Sequence, residues 1–249
     1  MTRPLFSKAG IERLKTLVQE SCLIGFDFDG TLVSIVSDPK KVVVKKQVLN
    51  LLKQLSLKKS VAIISGRKRS DVIKFIPIKK IQVLGNHGIE GSKINLKTKN
   101  NIFNQVAKWN EKLKPQVLKY SGVNIENKKY SLSIHYRHAI NRSKTRAQLL
   151  EIIKKLEIRA RVIDGIFVLN LLPLKSGNKG EALKKLIKKS VCTTSLYIGD
   201  DITDEDAFKL SSNRVLTVRV GVSKKTKAQF HLKQQSEILK LLKTLNHMV

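Results

Sequence analysis

The sequence predicts an α/β fold, in which a parallel sheet carries helices and a separate α+β segment is inserted. Short apolar runs alternate with helical periodicity over most of the chain, which is typical of βα units and a parallel sheet. The middle of the chain instead contains an alternating apolar–polar run at 130–136, which indicates an antiparallel strand with one buried face. Two acidic clusters, at 27–29 and 200–206, directly follow apolar runs.

The predicted core strands are short apolar runs bounded mostly by Gly, Asn or Asp, as expected for strands covered on both faces. These strands lie at 22–26, 61–64, 81–84 and 196–198, and a further core strand is predicted at 215–220. Three further segments carry apolar residues at helical spacing, and these segments predict helices. The helical segments lie at 48–55, 182–187 and 238–245.

The middle of the chain has a different pattern. After a polar loop, helical spacing appears at 103–113 and again at 149–156, on either side of the alternating strand. The dipeptide Asp164-Gly165 lies between two apolar runs and is a strong hairpin signal. We therefore predict an inserted domain. The predicted boundaries are 92–172 for the insert and 1–91 with 173–249 for the core.

The chain of 249 residues has a net charge of +30, from 49 Lys and Arg against 19 Asp and Glu. Such a charge attracts anions and favours nonspecific contact with nucleic acid. The basic residues are nevertheless scattered, with no nucleic-acid-binding module and no basic run interleaved with aromatics. We expect a lysine-rich compositional bias and no specific nucleic-acid partner. A basic nucleic-acid-binding protein is the alternative of a different class.

The sequence shows neither a signal peptide nor an apolar stretch near the roughly 18 residues of a membrane span. Its two cysteines, Cys22 and Cys192, are too few for a disulfide framework. Both lie beside apolar runs, so we expect buried thiols. These observations predict a cytoplasmic protein that makes no membrane contact. We also expect a monomer.

The run Asp27-Phe28-Asp29-Gly30-Thr31 follows the first predicted core strand. Because side chains two residues apart on a strand point the same way, the two carboxylates would crowd without a cation. An aspartate can also accept a phosphoryl group as a nucleophile. The alternative is a turn in which Gly and Thr supply the turn chemistry. We interpret the run as a site for phosphoryl chemistry at a divalent metal.

Three other motifs are placed to join this site. Asp200 follows another predicted strand, and the carboxyl ends of strands in open α/β sheets are where ligands bind. Ser65-Gly66 follows a third strand, although such a pair also marks ordinary turns. Lys179 begins a predicted helix with Asn178 as candidate N-cap, and a helix N-terminus with a lysine suits an anion. An ordinary surface lysine is the alternative for Lys179.

The order of these motifs resembles that of the haloacid dehalogenase-like phosphatases and, within them, the trehalose-6-phosphate phosphatases. The matching stretches are 27–32, 65–67, 85–90, 135–137, 179–180 and 199–208. The resemblance implies a Rossmann-like core with an inserted α+β cap that closes over the active site. It also implies Mg²⁺-dependent hydrolysis of trehalose 6-phosphate through an aspartyl-phosphate. The alternative substrate is another sugar phosphate, such as a sucrose, mannosyl or glucosyl phosphate compound.

The resemblance also suggests catalytic roles. Asp27 corresponds to the nucleophile and Asp29 to the general acid and base. Lys179 matches the catalytic lysine of the third motif. The expected Mg²⁺ ligands are Asp27, Asp200 and the backbone carbonyl of Asp29.

The acidic run after Asp200 contributes two further residues to the expected site. Asp201 and Asp204 are expected to orient Asp200 or Lys179, and ligation of the metal by one of them is the alternative.

Four residues of the core are expected near the substrate. Ser65 and Gly66 are placed to donate to the phosphoryl group, and Arg67 either binds substrate or braces the loop. His87 is expected either to contact substrate or to be a buried structural histidine.

The inserted domain supplies the remaining candidates. Arg137 is expected to bind the phosphate, and Glu126 and Lys128 to contact sugar hydroxyls, with solvated surface charges as the alternative for the latter two. The family usually carries a Glu three residues before the proline at 173 and an Arg just before it. Here these positions are Asn170 and Leu172. Asn170 therefore takes the place of the usual sugar-binding Glu, which leaves the identity of the sugar open.

Overall fold

A computed structural model of the chain describes residues 2–36, 38, 41–92 and 94–249. The chain forms two compact units, a first unit of Met1–Ser92 with Asn178–Val249 and a second unit of Lys93–Gly177. The sequence-based boundary fell after residue 172, whereas the second unit continues through Pro173, which ends a strand, to Gly177. Among the described residues, no helix combines the length and the apolarity needed to cross a membrane.

The strands are numbered along the chain. They are β1 Arg3–Pro4, β2 Cys22–Phe26, β3 Ser60–Ile64, β4 Gln82–Leu84, β5 Asn124–Asn127, β6 Leu132–His135, β7 Ala160–Gly165, β8 Val168–Pro173, β9 Thr194–Gly199, β10 Val215–Val220 and β11 Phe230–Leu232. The helices are α1 Lys8–Gln19, α2 Lys46–Lys58, α3 Arg69–Phe75, α4 Leu96–Val117, α5 Arg142–Lys155, α6 Lys179–Lys189, α7 Glu205–Phe208 and α8 Glu237–Met248.

The first unit is built on a seven-stranded sheet in the order β1-β11-β10-β9-β2-β3-β4, with every neighbouring pair parallel. The register sets Phe26 of β2 beside Ile63 of β3 and Ile198 of β9. The chain therefore leaves these three strands at the same edge of the sheet. The parallel α/β fold expected from the sequence is confirmed.

Helices cover both faces of this sheet, so all five residues of β2 are buried. On one face, Ile24 and Phe26 pack in a cluster that also contains residues of α1, α2 and α8. On the other face, Leu23 packs in a cluster with Leu183 of α6. This two-sided burial is the reason that the predicted core strands are continuous apolar runs without alternation.

The second unit contains a four-stranded antiparallel sheet in the order β5-β6-β8-β7. One face of the sheet packs against α4 and α5 around Trp109 and Leu149. Leu132 and Ile134 of β6 point into this core, whereas Ser133 between them lies on the opposite face. The alternating pattern of this strand is therefore explained by a sheet that is covered by helices on one face.

The hairpin in the second unit turns later than the sequence suggested. Asp164 and Gly165 are still part of β7, where they pair with Leu169 and Val168, so the turn residues are 166 and 167. Phe167 takes a positive φ of 59° at this turn. Arg146 binds both carboxylate oxygens of Asp164 at 2.7 Å, which holds the aspartate in the strand.

One of the two cysteines and the first helix differ from expectation. Cys22 is buried as predicted, and burial raises the pKa of its thiol to about 11. Cys192 is only half-buried, because it lies in the connection between α6 and β9 and not in a strand. The sequence analysis also did not identify α1, an amphipathic helix whose N-cap is Ser7.

We predict that Leu149→Ala destabilises the second unit by about 2–5 kcal/mol, because it leaves a cavity among fully buried side chains. Trp109 is the single tryptophan of the chain and lies in the same core, so its fluorescence during urea denaturation reports on this unit. Leu96→Ala is the matched control, since Leu96 is 73% exposed at the start of α4. Equal midpoints for the two variants would contradict the prediction.

Candidate active site

Three carboxylates meet at the carboxyl edge of the parallel sheet. Asp27 follows β2, Asp200 follows the neighbouring β9, and Asp204 ends the 3₁₀ turn Ile202–Asp204. One oxygen of each carboxylate lies within 4.8 Å of an oxygen of the other two. Asp27 and Asp200 come together because their strands are adjacent, parallel and in register.

The ammonium group of Lys179 joins two of these carboxylates. Its Nζ lies 2.8 Å from Oδ1 of Asp27 and 2.9 Å from Oδ1 of Asp204, and all three side chains are buried. Lys179 is the first residue of α6, where the predicted N-cap Asn178 accepts a 2.8 Å hydrogen bond from the amide of Glu181. The capped helix end therefore fixes the position from which the lysine reaches both acids.

Asp204 is surrounded by hydrogen-bond donors. Besides Lys179, it accepts hydrogen bonds from the hydroxyl of Tyr197 at 2.6 Å and from the amides of Asp200 and Asp201 at 3.2 and 3.0 Å. A carboxylate offers about four lone-pair positions, so these contacts account for its accepting capacity. Asp204 is thus suited to hold Lys179 in place, and less suited to bind a cation.

Tyr197 is the residue of this site that the sequence analysis missed. It lies inside the apolar strand β9, where it was counted only as a core residue. Burial, followed by the negative charge of Asp204, raises the pKa of its hydroxyl well above the usual value. A tyrosine between Leu196 and Ile198 in a fully buried strand is the available clue, since a buried phenol usually has a hydrogen-bond partner.

The cluster carries more negative charge than its lysine can balance. Burial raises the pKa of Asp27. The positive charge of Lys179 opposes this shift, and the negative charges of Asp204 and Asp200 add to it. Burial and the charge of Asp204 likewise raise the pKa of Asp200 to about 7. For Lys179, burial would lower the pKa, but the charges of Asp204 and Asp27 outweigh it and raise the pKa.

Three carboxylates share one ammonium group, which leaves an excess of negative charge. Their oxygens are the hard donors that a divalent cation prefers. Asp27 and Asp200 are the better ligands, because Asp204 is occupied by its four donors. Thr31 donates a 3.3 Å hydrogen bond to Oδ1 of Asp200. Gly30, with a φ of +76°, lies so close to the Asp200 carboxylate that a Cβ there would collide with it. The loop after β2 therefore packs directly against Asp200.

Asp29 points to a different partner. Both of its carboxylate oxygens accept hydrogen bonds from Arg67 at 2.7 Å, one from Nε and one from Nη2. The guanidinium carbon lies 5.4 Å from the ring centre of Phe28 and 5.5 Å from that of Phe75. The structure thus shows Arg67 bracing the loop through Asp29, and its contact with substrate stays a prediction.

The loops after β3 and β4 interlock beside this pair. The buried hydroxyl of Ser65 accepts a 3.1 Å hydrogen bond from the amide of Arg67, and the carbonyl of Ser65 accepts one from the amide of His87 at 2.9 Å. The His87 ring lies against Gly66, where a Cβ would come within 2.8 Å of it. His87 is buried and has a φ of 56°. It therefore packs as part of the loop that presents Ser65.

In the second unit, Glu126, Ser133 and Asn170 form one row across β5, β6 and β8. Ser133 donates a 2.6 Å hydrogen bond to the side-chain oxygen of Asn170. Glu126 lies 3.8 Å from Lys128 and 3.2 Å from Nε2 of His135. This row and its neighbours make the sheet face opposite the helices polar, and Ser133 at the centre of the row is buried.

Arg137 lies at the end of this sheet that carries the turn of the β7–β8 hairpin. It donates a 3.3 Å hydrogen bond to the carbonyl of Ile166, and its guanidinium carbon is 5.5 Å from the ring centre of Phe167. The predicted site residues therefore form two groups, one on the first unit and one on the second.

Comparison with known proteins places this arrangement among phosphatases. The sequence profile of the trehalose-phosphatase family matches residues 25–238. The chain is 30% identical to probable trehalose-phosphate phosphatase E of Arabidopsis thaliana over 244 residues, which cover 88% of this chain and 68% of the relative. It is also 30% identical to trehalose-phosphate phosphatase B of the same plant, over 88% of this chain and 64% of the relative. The chain thus spans about two thirds of these relatives.

The fold is similar to that of solved structures. The C-terminal domain of the Candida albicans trehalose-6-phosphate phosphatase matches 100% of this chain and 99% of that domain, with a TM-score of 0.77 and 27% identity. A trehalose-6-phosphate phosphatase related protein matches 91% of this chain and 97% of its own, with a TM-score of 0.75 and 25% identity.

We predict that Tyr197→Phe lowers the free energy of unfolding by about 1–3 kcal/mol, because the fully buried Asp204 loses a hydrogen-bond donor. Urea denaturation followed by circular dichroism measures the loss. Tyr120→Phe makes the same change at a half-buried tyrosine that packs against the second core. A loss at Tyr197 no larger than that at Tyr120 would show that the hydroxyl of Tyr197 contributes nothing.

Proposed function

Because this chain belongs to the trehalose-phosphatase family, we propose that it hydrolyses trehalose 6-phosphate to trehalose and phosphate, with Mg²⁺ as its cofactor. The observation that carries the proposal is the buried cluster in which Lys179 bridges Asp27 and Asp204 next to Asp200. In such a cluster Asp27 can act as the nucleophile and, together with Asp200, as a ligand of the cation. The motifs that form it are those that the family resemblance rests on.

In this mechanism Asp27 attacks the phosphorus atom and forms an aspartyl-phosphate. Lys179 binds Oδ1 of Asp27, which orients the carboxylate and leaves Oδ2 to attack. Asp204 keeps Lys179 in place through its own 2.9 Å contact. The lysine also supplies positive charge beside the transferring group, where negative charge accumulates.

Asp29 is the general acid and base on the leaving-group side of the phosphorus atom. It donates a proton to the sugar oxygen as the bond to phosphorus breaks, so the sugar leaves as a neutral alcohol. It then takes a proton from the water that attacks the aspartyl-phosphate, which releases phosphate and restores Asp27. The exposed position of Asp29, whose side chain is 38% exposed, suits exchange with a substrate and with water.

Asp27, Asp200 and the backbone carbonyl of Asp29 would hold the Mg²⁺ ion. When bound, the ion offsets the repulsion between the Asp27 carboxylate and the phosphoryl oxygens. Asp201 supports the arrangement indirectly, since its side chain caps the 3₁₀ turn that carries Asp204.

The proposed substrate contacts are divided between the two units. Ser65 and Gly66 donate to the phosphoryl oxygens, and Arg67 and His87 shape the loop that presents them. The second unit serves as the cap that selects the sugar. Within it, Glu126 and Lys128 bind sugar hydroxyls, Arg137 binds the phosphate, and Asn170 replaces the usual acidic residue. A neutral amide offers both a donor and an acceptor to a hydroxyl group.

A sugar phosphate is therefore the proposed partner, and we further propose that the protein is monomeric and cytoplasmic. The family assignment does not favour the alternative of a basic nucleic-acid-binding protein.

A panel of phosphate esters tests the proposed function. We expect the highest kcat/KM for trehalose 6-phosphate, compared with sucrose 6-phosphate, glucose 6-phosphate, mannose 6-phosphate and p-nitrophenyl phosphate, when phosphate release is measured. Asp27→Asn should abolish release from every ester, since an amide is a poor nucleophile. Higher kcat/KM on another sugar phosphate would contradict the proposed substrate, and full activity of the Asp27 variant would contradict the mechanism.

The pKa of Asp200 predicts how Mg²⁺ affinity depends on pH. Its value of about 7 in the cation-free protein means that the carboxyl is largely protonated below that pH, and ion binding must then release a proton. We expect Mg²⁺ affinity to fall as pH drops below this value, and the raised pKa of Asp27 acts in the same direction. Calorimetric titrations one pH unit below and above, each in two buffers of different ionisation enthalpy, measure affinity and proton release.

Asp200→Asn provides the control for this titration. It should bind Mg²⁺ weakly and lose the part of the proton release that Asp200 supplies. Equal Mg²⁺ affinity of the unmodified protein at both pH values, with no proton release, would contradict the prediction.

A further inference from the structure

We propose that Arg67 is the positioning residue for the carboxylate of Asp29, and that it acts on the departure of the leaving group through Asp29 and not by binding the phosphoryl group. The inference rests on the proposed function, because it takes Asp29 as the general acid. It is carried by three features of the first unit: the geometry of the contact, the aromatic packing of the arginine and the anchoring of both backbones.

The contact is a planar, two-point pair. Nε and Nη2 of Arg67 each donate a 2.7 Å hydrogen bond to a different oxygen of Asp29. Such a pair fixes the plane of the carboxylate as well as its distance, which a lysine at the same position does not do. Asp29 is otherwise a half-exposed side chain that would sample several rotamers.

The arginine is itself held in one orientation. Its guanidinium carbon lies within 5.4 Å and 5.5 Å of the ring centres of Phe28 and Phe75. These two rings are stacked on each other at 5.7 Å, and Phe28 is fully buried. Because only 15% of the Arg67 side chain is exposed, the pair is not a mobile surface salt bridge of the kind that contributes little.

Both backbones are also anchored close to the contact. The amide of Arg67 donates to the hydroxyl of Ser65 at 3.1 Å, and its carbonyl accepts from the amide of Asn86 at 2.8 Å. Asp29 forms a bridge with Val33 in the loop after β2. The pair therefore joins two loops at the ends of neighbouring strands and sets where the Asp29 carboxylate lies relative to Asp27.

The two-point contact leaves Asp29 able to exchange protons. A carboxylate has about four lone-pair positions, and the arginine uses one on each oxygen. A lone pair on either oxygen remains for the bond to the leaving group. Positioning by Arg67 is thus compatible with the acid and base roles of Asp29.

This role makes a prediction that depends on the leaving group. A sugar alkoxide is a poor leaving group and needs the proton from Asp29, whereas p-nitrophenolate leaves without one. We expect Arg67→Lys, which keeps the charge but not the two-point geometry, to lower kcat/KM for trehalose 6-phosphate by about 10²-fold. For p-nitrophenyl phosphate, kcat/KM should fall by a clearly smaller factor, so the ratio of the two losses reports the role of Arg67. The quantity kcat/KM isolates the first phosphoryl transfer, so hydrolysis of the aspartyl-phosphate does not contribute.

The experiment compares Arg67→Lys and Arg67→Gln with the unmodified protein on p-nitrophenyl phosphate, phenyl phosphate and trehalose 6-phosphate. Arg146→Lys is the matched control, because Arg146 forms the same two-point contact with Asp164 in the second unit, also at 2.7 Å. Its kcat/KM should show no dependence on the leaving group relative to the unmodified protein. Activity on p-nitrophenyl phosphate also verifies that each variant is folded.

A double variant tests whether Arg67 acts through Asp29. In the Asp29→Asn background, adding Arg67→Lys should cause no further loss on trehalose 6-phosphate. Equal losses on all three esters, or a further loss in the double variant, would overturn the proposal and indicate direct contact of Arg67 with the phosphoryl group. If the unmodified protein hydrolyses aryl phosphates but no sugar phosphate, the proposed function fails, while the two aryl esters still decide the role of Arg67.

Discussion

The first unit depends on the contacts that the buried ammonium group of Lys179 makes. An unpaired charge at this depth would cost several kcal/mol, so Lys179 requires both Asp27 and Asp204 within hydrogen-bond distance. The three residues come from the start of α6, the end of β2 and the turn after β9. Helix capping and strand register must therefore be correct together, since a small shift in any one element leaves a buried charge without a partner.

The same cluster explains why its three carboxylates behave differently. Asp204 receives four donors and remains a fixed support for Lys179. Asp27 and Asp200 share the remaining imbalance, and burial raises the pKa of both. A bound cation removes that penalty, which couples metal affinity to pH. The protein thus concentrates its unbalanced charge on the two acids that are proposed to bind the ion.

The candidate residues of the two units are held in different ways. Interlocking loops on the first unit place the charged groups, and changes there disturb a network of buried contacts. On the second unit, polar side chains on the sheet face opposite the helices contact one another, as in the hydrogen bond from the buried Ser133 to Asn170. Function resides in such sites and not in the architecture, so sugar preference can change without a change of fold.

The sequence by itself determined the parallel core, the strand ends that carry Asp27 and Asp200, and the N-cap of α6, because hydrophobic periodicity and capping are local properties. Tertiary structure decided which side chains meet. Nothing in the spacing of Asp29 and Arg67 indicates their two-point contact. The buried position of Tyr197 indicates that its hydroxyl has a partner, but not that the partner is Asp204. The turn of the hairpin also moved past Asp164, which Arg146 holds in the strand. Partners distant in sequence are selected by packing and charge in three dimensions, and no local pattern records that selection.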